Sequence, residues 1–194
     1  MMIAVSGFNG AGVTSTTQEV ARRLGLKPII YTLRDMAKEK GLSMDEMNAL
    51  KEKEFPKWDY ILDKKNIESA VDGTIFGSDI AIWLLHADLR VWVHASLDTR
   101  ARRTAERDGL EYKVALAKVR ERDRSFAHHY KRLYNIDWKK FYDIADIVIN
   151  NERVGLDKVA DIIVNATKHL PLAENKKVER KVDNIRRIIM SARE

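Results

Sequence analysis

Three glycines and two hydroxyls near the start of the chain carry the first chemical signal. The run is Gly7-Phe8-Asn9-Gly10-Ala11-Gly12-Val13-Thr14-Ser15. It follows a short apolar stretch, residues 2–6, that reads as a buried strand, and it precedes a helical pattern over residues 16–24. The template G-x-x-x-x-G-K-[ST] between a strand and a helix is the phosphate-cradling loop of nucleotide-binding proteins. Both outer glycines and the hydroxyl are present, and Gly10 adds a third glycine, but Val13 holds the lysine position. Gly7, Gly10, Ala11, Gly12, Val13, Thr14 and Ser15 are therefore expected to bind phosphate through backbone N–H groups and the helix N-terminus. The loop lacks the cation that normally neutralises the transferring phosphoryl group.

The elements that must position this loop are legible as an alternation. Candidate strands at 2–6, 28–31, 73–76, 89–95 and 146–150 are separated by helical segments, one of them opened by the capping pattern Ser43-Met44-Asp45-Glu46. Alternation of this kind predicts an α/β fold on a parallel five-stranded sheet, with ligands beyond the carboxyl ends of the strands. Two segments exceed plain crossovers. Residues 33–72 are polar and helical, and residues 98–134 are helical and arginine-dense, with Arg100, Arg102, Arg103, Arg107, Arg120, Arg122, Arg124 and Arg132.

Composition narrows the classes. The 194 residues are 45% apolar, enough for the core of one domain, and the net charge of +6 suits anionic partners. With no cysteine, disulfides, thiolate metal sites and a thiol nucleophile are excluded. No stretch reaches the roughly 20 apolar residues of a membrane span, and the N-terminus carries no leader pattern, so a cytoplasmic protein without membrane contact is expected. High charge, no cysteine and a sole glutamine, Gln18, lean toward a thermophilic source. His128 and His129 read as surface histidines, and Trp58, Trp83, Trp92 and Trp138 as core or interface.

Taken together and in order, these blocks resemble the archaeal-type cytidylate kinases, a branch of the P-loop nucleoside monophosphate kinases. The resemblance runs from Met2 to about Lys168. It is carried by the glycine loop and the Leu24-Gly25-Leu26 turn, by Leu33–Ser43, by Asp59-x-x-x-Asp63 and by Ala87–Trp92. It continues through Arg100-x-x-Arg103-x-x-x-Arg107, Arg120-Glu121-Arg122, Ser125–Asp137 and Tyr142–Asn150. It implies a three-layer α/β P-loop NTPase fold in a domain over 1–168, with a helical acceptor-binding insert at 33–72 and a helical lid at 98–134. It implies ATP with Mg²⁺ as cofactor and CMP or dCMP as phosphoryl acceptor. Thr14 would meet the metal. Arg34, Asp59, Asp63 and Asp79 would bind the acceptor, and Arg103, Arg107, Arg120 and Arg122 would serve as catalytic cations around the transferring phosphate.

Two cations of the family pattern are missing: the loop lysine, and an arginine expected after the third strand, where the chain reads Phe76-Gly77-Ser78-Asp79-Ile80. Two readings stay open, a working phosphotransferase and a catalytically impaired paralogue that binds nucleotide or associates with RNA. The extension at 169–194 is basic and places Val178, Val182, Ile185, Ile189 and Ala192 on a heptad-like seam. That seam would pack on the body of the domain or, alternatively, form a homodimer contact, with the basic arm available to RNA.

Overall fold

The computed structural model describes residues 1–191. Five parallel strands form one sheet in the order β2-β3-β1-β4-β5, with β1 Ile3–Gly7, β2 Lys27–Ile29, β3 Thr74–Gly77, β4 Leu89–His94 and β5 Ile147–Asn150. β1 lies between β3 and β4, pairing Val5 with Gly77 on one side and with Val91 on the other. The expected strands are all present, shifted by a residue or two. β2 stops at Ile29, and Ile30 is exposed.

The apolar runs are continuous because both sheet faces are covered. On one face Ile3, Val5, Val91 and Val93 pack with Val20 of α1 (Val13–Leu24) and with Val159 and Ile163 of α8 (Leu156–Thr167). On the other, Ala4, Phe76 and Trp92 join α5 (Ala81–Leu84), Trp138 of a short 3-10 helix (Trp138–Asp143) and α9 (Lys176–Ser191). The four tryptophans are all buried.

The insert contains α2 (Leu33–Glu39), α3 (Met44–Lys53) and α4 (Lys57–Ser69) around a small core of Met36, Met47 and Trp58. Capping boxes open α2 at Thr32 and α3 at Ser43, where each side-chain oxygen accepts from the N3 amide. The lid is a helical hairpin, α6 (Leu97–Asp108) and α7 (Tyr112–Tyr134), broken at Gly109, whose φ of +63° suits glycine.

The seam of the C-terminal helix faces the chain's own body. Val178, Val182, Ile185 and Ile189 are buried against α4 and α5, so this stripe is not free for the dimer contact considered above. Ala192 lies outside the described residues. Arg90 and His86 both reach Glu179 on this helix, and Lys176, Lys177, Arg180 and Arg187 remain exposed on its outer face.

Candidate nucleotide site

The glycine loop connects the carboxyl end of β1 to α1. Gly10 and Gly12 have φ of +81° and +96°, a region that side chains disfavour, and a Cβ at Gly7 would stand 2.5 Å from the Val93 carbonyl oxygen. Gly12 caps α1 without any side-chain hydrogen bond to the first-turn amides. Those N–H groups thus remain available to an anion, and Thr14 and Ser15 are exposed beside them. Val13 is partly buried and packs toward the β1/β4 core.

Two side chains hold the loop from behind by its carbonyls. Arg100 is 4% exposed; its guanidinium donates to the Asn9 and Ala95 carbonyls and to both carboxylate oxygens of Asp123 on α7, at 2.8 and 3.0 Å. Asn151, just past β5, donates from Nδ2 to the Ala11 carbonyl at 2.7 Å and accepts from Arg103 at Oδ1 and at its own carbonyl. With these carbonyls held and the Ala11 amide donating to the Phe8 carbonyl at 2.9 Å, the uncapped first-turn amides of α1 are the N–H groups left to an anion. Neither Arg100 nor Asn151 stood out as a loop anchor in the sequence. Arg100 is one of eight arginines in its segment, and Asn151 follows the last strand without any motif.

The four lid arginines assigned to phosphate separate into two pairs. Arg103 is engaged with Asn151, and Arg107 with Asp108 at 2.7 Å. Arg120 and Arg122 are exposed and make no ion pair among the described residues; Arg122 lies over the Phe126 ring at 5.0 Å. Arg102 pairs with Asp98, one helical turn before it, at 2.9 Å.

The carboxyls of Asp59, Asp63 and Asp79 meet residues of α7. Tyr134 donates to Asp63 Oδ2 at 2.5 Å, and burial pushes the Asp63 carboxyl up to about 7 against that hydrogen bond. Asp79 follows β3, its carbonyl accepts from Trp138 Nε1 at 3.0 Å, and Tyr130 OH approaches Oδ2 at 3.4 Å. Burial raises Asp79 to about 6, opposed chiefly by the charge of Arg122. Asp59, one turn from Asp63, is fully engaged at Oδ1 by Lys51 and His129. His129 is therefore partly buried and not the surface residue expected, because α7 turns it toward α4 while His128 stays exposed. Arg34 is exposed on α2 without an acidic partner among the described residues.

Gly77 shows why the stretch after β3 is tight: a Cβ there would fall 2.2 Å from Thr17 Oγ1 of α1. Thr17 itself is buried and donates to the Val13 carbonyl. Among the described residues no cluster of three or more metal-ligating side chains occurs, so a metal here would rest on Thr14 together with ligand oxygens and water.

A parallel sheet in this order, with a glycine loop between its central strand and the following helix and a helical hairpin after its fourth strand, defines a three-layer α/β P-loop NTPase fold. Solved structures agree. A shikimate kinase from Bacteroides thetaiotaomicron matches with a TM-score of 0.59 at 14% identity, covering 87% of this chain and 98% of that one. A deoxyadenosine kinase from M. mycoides with bound dATP matches with a TM-score of 0.52 at 14% identity, covering 87% and 100%. The cytidylate kinase-like family profile matches residues 64–153. The cytidylate kinase of Pyrococcus horikoshii is 34% identical over 174 residues, 88% of this chain and 90% of that protein. That of Methanocaldococcus jannaschii is 30% identical over 178 residues, 88% and 99%. The chain belongs to the cytidylate kinase-like family.

Proposed function

We propose that the protein is a nucleoside monophosphate kinase that transfers the γ-phosphoryl group of ATP to CMP or dCMP. The observation that carries this reading is the glycine loop itself, whose carbonyls are held from behind by Arg100 and Asn151 while the first-turn amides of α1 have no side-chain cap. Phosphoryl transfer needs positioning and charge neutralisation more than covalent help from the protein. An acceptor phosphate oxygen forms the new P–O bond as the bond to the ADP oxygen breaks. In this reading the loop cradles the triphosphate, Arg34 grips the acceptor phosphate, and Asp63 and Asp79 face its base or ribose. Arg120 and Arg122, unpaired among the described residues, move onto the transferring phosphate as the lid closes. Thr14 would hold Mg²⁺, which supplies positive charge to the phosphate oxygens.

Val13 and Ser78, standing where the family pattern has lysine and arginine, favour a second reading in which nucleotide binds without efficient transfer. Loss of one preorganised donor of this kind typically costs about 10²–10³ in turnover. A coupled assay of ADP release against the common monophosphates decides between them, with calorimetric titration of ATP and CMP run alongside. Turnover highest with CMP or dCMP supports the kinase. Heat of binding without turnover supports the second reading, and neither signal at millimolar ligand removes both.

A further inference from the structure

Asp79 stands apart from the other carboxyls beneath α7. Asp59 and Asp63 belong to α4 of the insert, whereas Asp79 follows β3, the strand beside β1 and its glycine loop. Its backbone is fixed there. The Ser78 amide donates to the Val5 carbonyl at 3.1 Å, the Ile82 amide donates to Ser6 Oγ at 3.2 Å, and Trp138 Nε1 holds the Asp79 carbonyl. Trp138 in turn packs edge-on against Phe8 of the loop, with ring centroids 4.9 Å apart. The Asp79 side chain is partly exposed and lightly held. Oδ2 has only the long contact from Tyr130, and Oδ1 accepts no hydrogen bond among the described residues. The charges of Arg122 and Asp123 on α7 both reach it.

A carboxyl in this place does little for a phosphate acceptor. A phosphate oxygen is already anionic and needs cations, yet Ser78 precedes Asp79 and Arg34 is exposed on α2. A hydroxyl acceptor is neutral and must lose a proton as it attacks phosphorus, so it needs a positioned carboxylate. Asp79 meets that need. Burial holds its carboxyl up to about 6, so it is ionised at neutral pH and is a stronger base than an ordinary aspartate. Arg122, whose charge bears on Asp79, would bring a cation for the phosphoryl group to the same place.

We infer that the site also phosphorylates a hydroxyl, that of an unphosphorylated nucleoside, with Asp79 as the general base. The nucleoside is the hydroxyl compound that fits the acceptor side proposed above once the phosphate is taken away. Its hydroxyl oxygen forms the new bond to the γ-phosphorus as the bond to the ADP oxygen breaks, and the hydroxyl proton passes to Asp79 and then to water. The inference rests on the reading of Gly7–Ser15 as an ATP cradle, and not on a monophosphate as acceptor.

The test presents the full chain with Mg²⁺, ATP and either cytidine or deoxycytidine, with CMP alongside, and identifies the phosphorus product by ³¹P NMR. A phosphomonoester formed from the nucleoside is expected. Asp79→Asn should lower kcat for it by about 100-fold or more, the scale of a lost general base, while calorimetry shows ATP still bound. In the unmodified protein, nucleoside turnover should rise with pH through about 6, where Asp79 loses its proton, and then level off. That profile tests the base even if Asp79→Asn does not fold. Diphosphate from CMP with no monoester from the nucleosides would overturn the inference and leave the monophosphate kinase intact. Inorganic phosphate as the sole product would overturn both. Nucleoside turnover unchanged in Asp79→Asn, or flat across about pH 5 to 7, would remove Asp79 as the base.

Discussion

The two halves of the ligand side are built on opposite principles. Around the glycine loop, side chains fix the backbone: Arg100 and Asn151 occupy carbonyls at Asn9 and Ala11, and the uncapped first-turn amides of α1 are what remains to act. Between the insert and the lid, side chains fix one another: tyrosines approach Asp63 and Asp79, and Lys51 and His129 converge on Asp59. The first arrangement is preorganised for an anion before any ligand arrives. The second holds the Asp63 and Asp79 carboxyls, pushed up toward neutrality by burial, and it joins the insert to α7 through Asp63–Tyr134 and Asp59–His129. On the kinase reading proposed above, these would be the fixed phosphate donors and adjustable acceptor groups of an enzyme closing over two substrates.

The sharpest way to break this contrast is at Arg100, which ties the loop to α7 through Asp123. Arg100→Ala leaves the Asn9 carbonyl without its donor and Asp123 without its bidentate partner. Arg100 is buried but Asp123 is 26% exposed, so the loss should lie toward the lower end of the about 3–5 kcal/mol typical of breaking a buried pair. In a domain of this size that is roughly 10 °C or more in melting temperature, measurable by calorimetry. A loss below about 1 kcal/mol would mean that the loop does not depend on this anchor.

Gly77→Ala is the next largest. Its Cβ would collide with Thr17 at the back of α1, and overpacking of this kind costs about 1–3 kcal/mol. Combining it with Thr17→Ala should recover most of the loss in denaturant titrations. Absence of recovery would place the strain elsewhere.

Asn151→Ala frees the Ala11 carbonyl and releases Arg103. A weakening of ATP binding by roughly tenfold is expected, the value of one or two hydrogen bonds, with CMP binding less affected. Equal loss for both ligands, read by calorimetry, would erase the distinction between the two halves.

The change is most gradual in pH dependence. The folded-state values of Asp63 and Asp79, about 7 and about 6, lie above the ordinary value of 3.8. The native state therefore holds protons that the unfolded chain has released. These groups contribute most below pH 4, and stability falls as pH rises from about 4 toward 7, at no more than about 1.4 kcal/mol per pH unit for each group. Asp63→Asn should flatten that slope, particularly between pH 6 and 7. An unchanged profile in urea unfolding would place the Asp63 carboxyl in the ordinary acidic range.

Much of the loop half could be read from the sequence because its signals are local. A strand buried on both faces is a continuous apolar run, and glycines at Gly10 and Gly12 mark positive φ directly. The helical insert and lid were equally visible as long polar helical stretches. What the sequence did not reveal depends on partners distant in the chain. Arg100 looks like its seven arginine neighbours until Asp123 and Asn9 are placed around it, 23 and 91 residues away. His129 reads as a surface residue until α7 brings it to Asp59. The seam of α9 was clear, but its partner surface on α4 and α5 was not, because a heptad-like stripe specifies an apolar neighbour without naming it.

Installing the missing cation tests the loop most directly. Val13→Lys, assayed for ATP and CMP turnover in a protein verified to be folded, should raise turnover tenfold or more. That corresponds to at least about 1.4 kcal/mol off the barrier, because position 13 stands at the first residue of α1 beside the free amides. Adding Ser78→Arg should exceed the single change. A folded Val13→Lys protein with neither tighter ATP binding nor faster turnover would contradict the assignment of Gly7–Ser15 as a cradle for a nucleoside triphosphate.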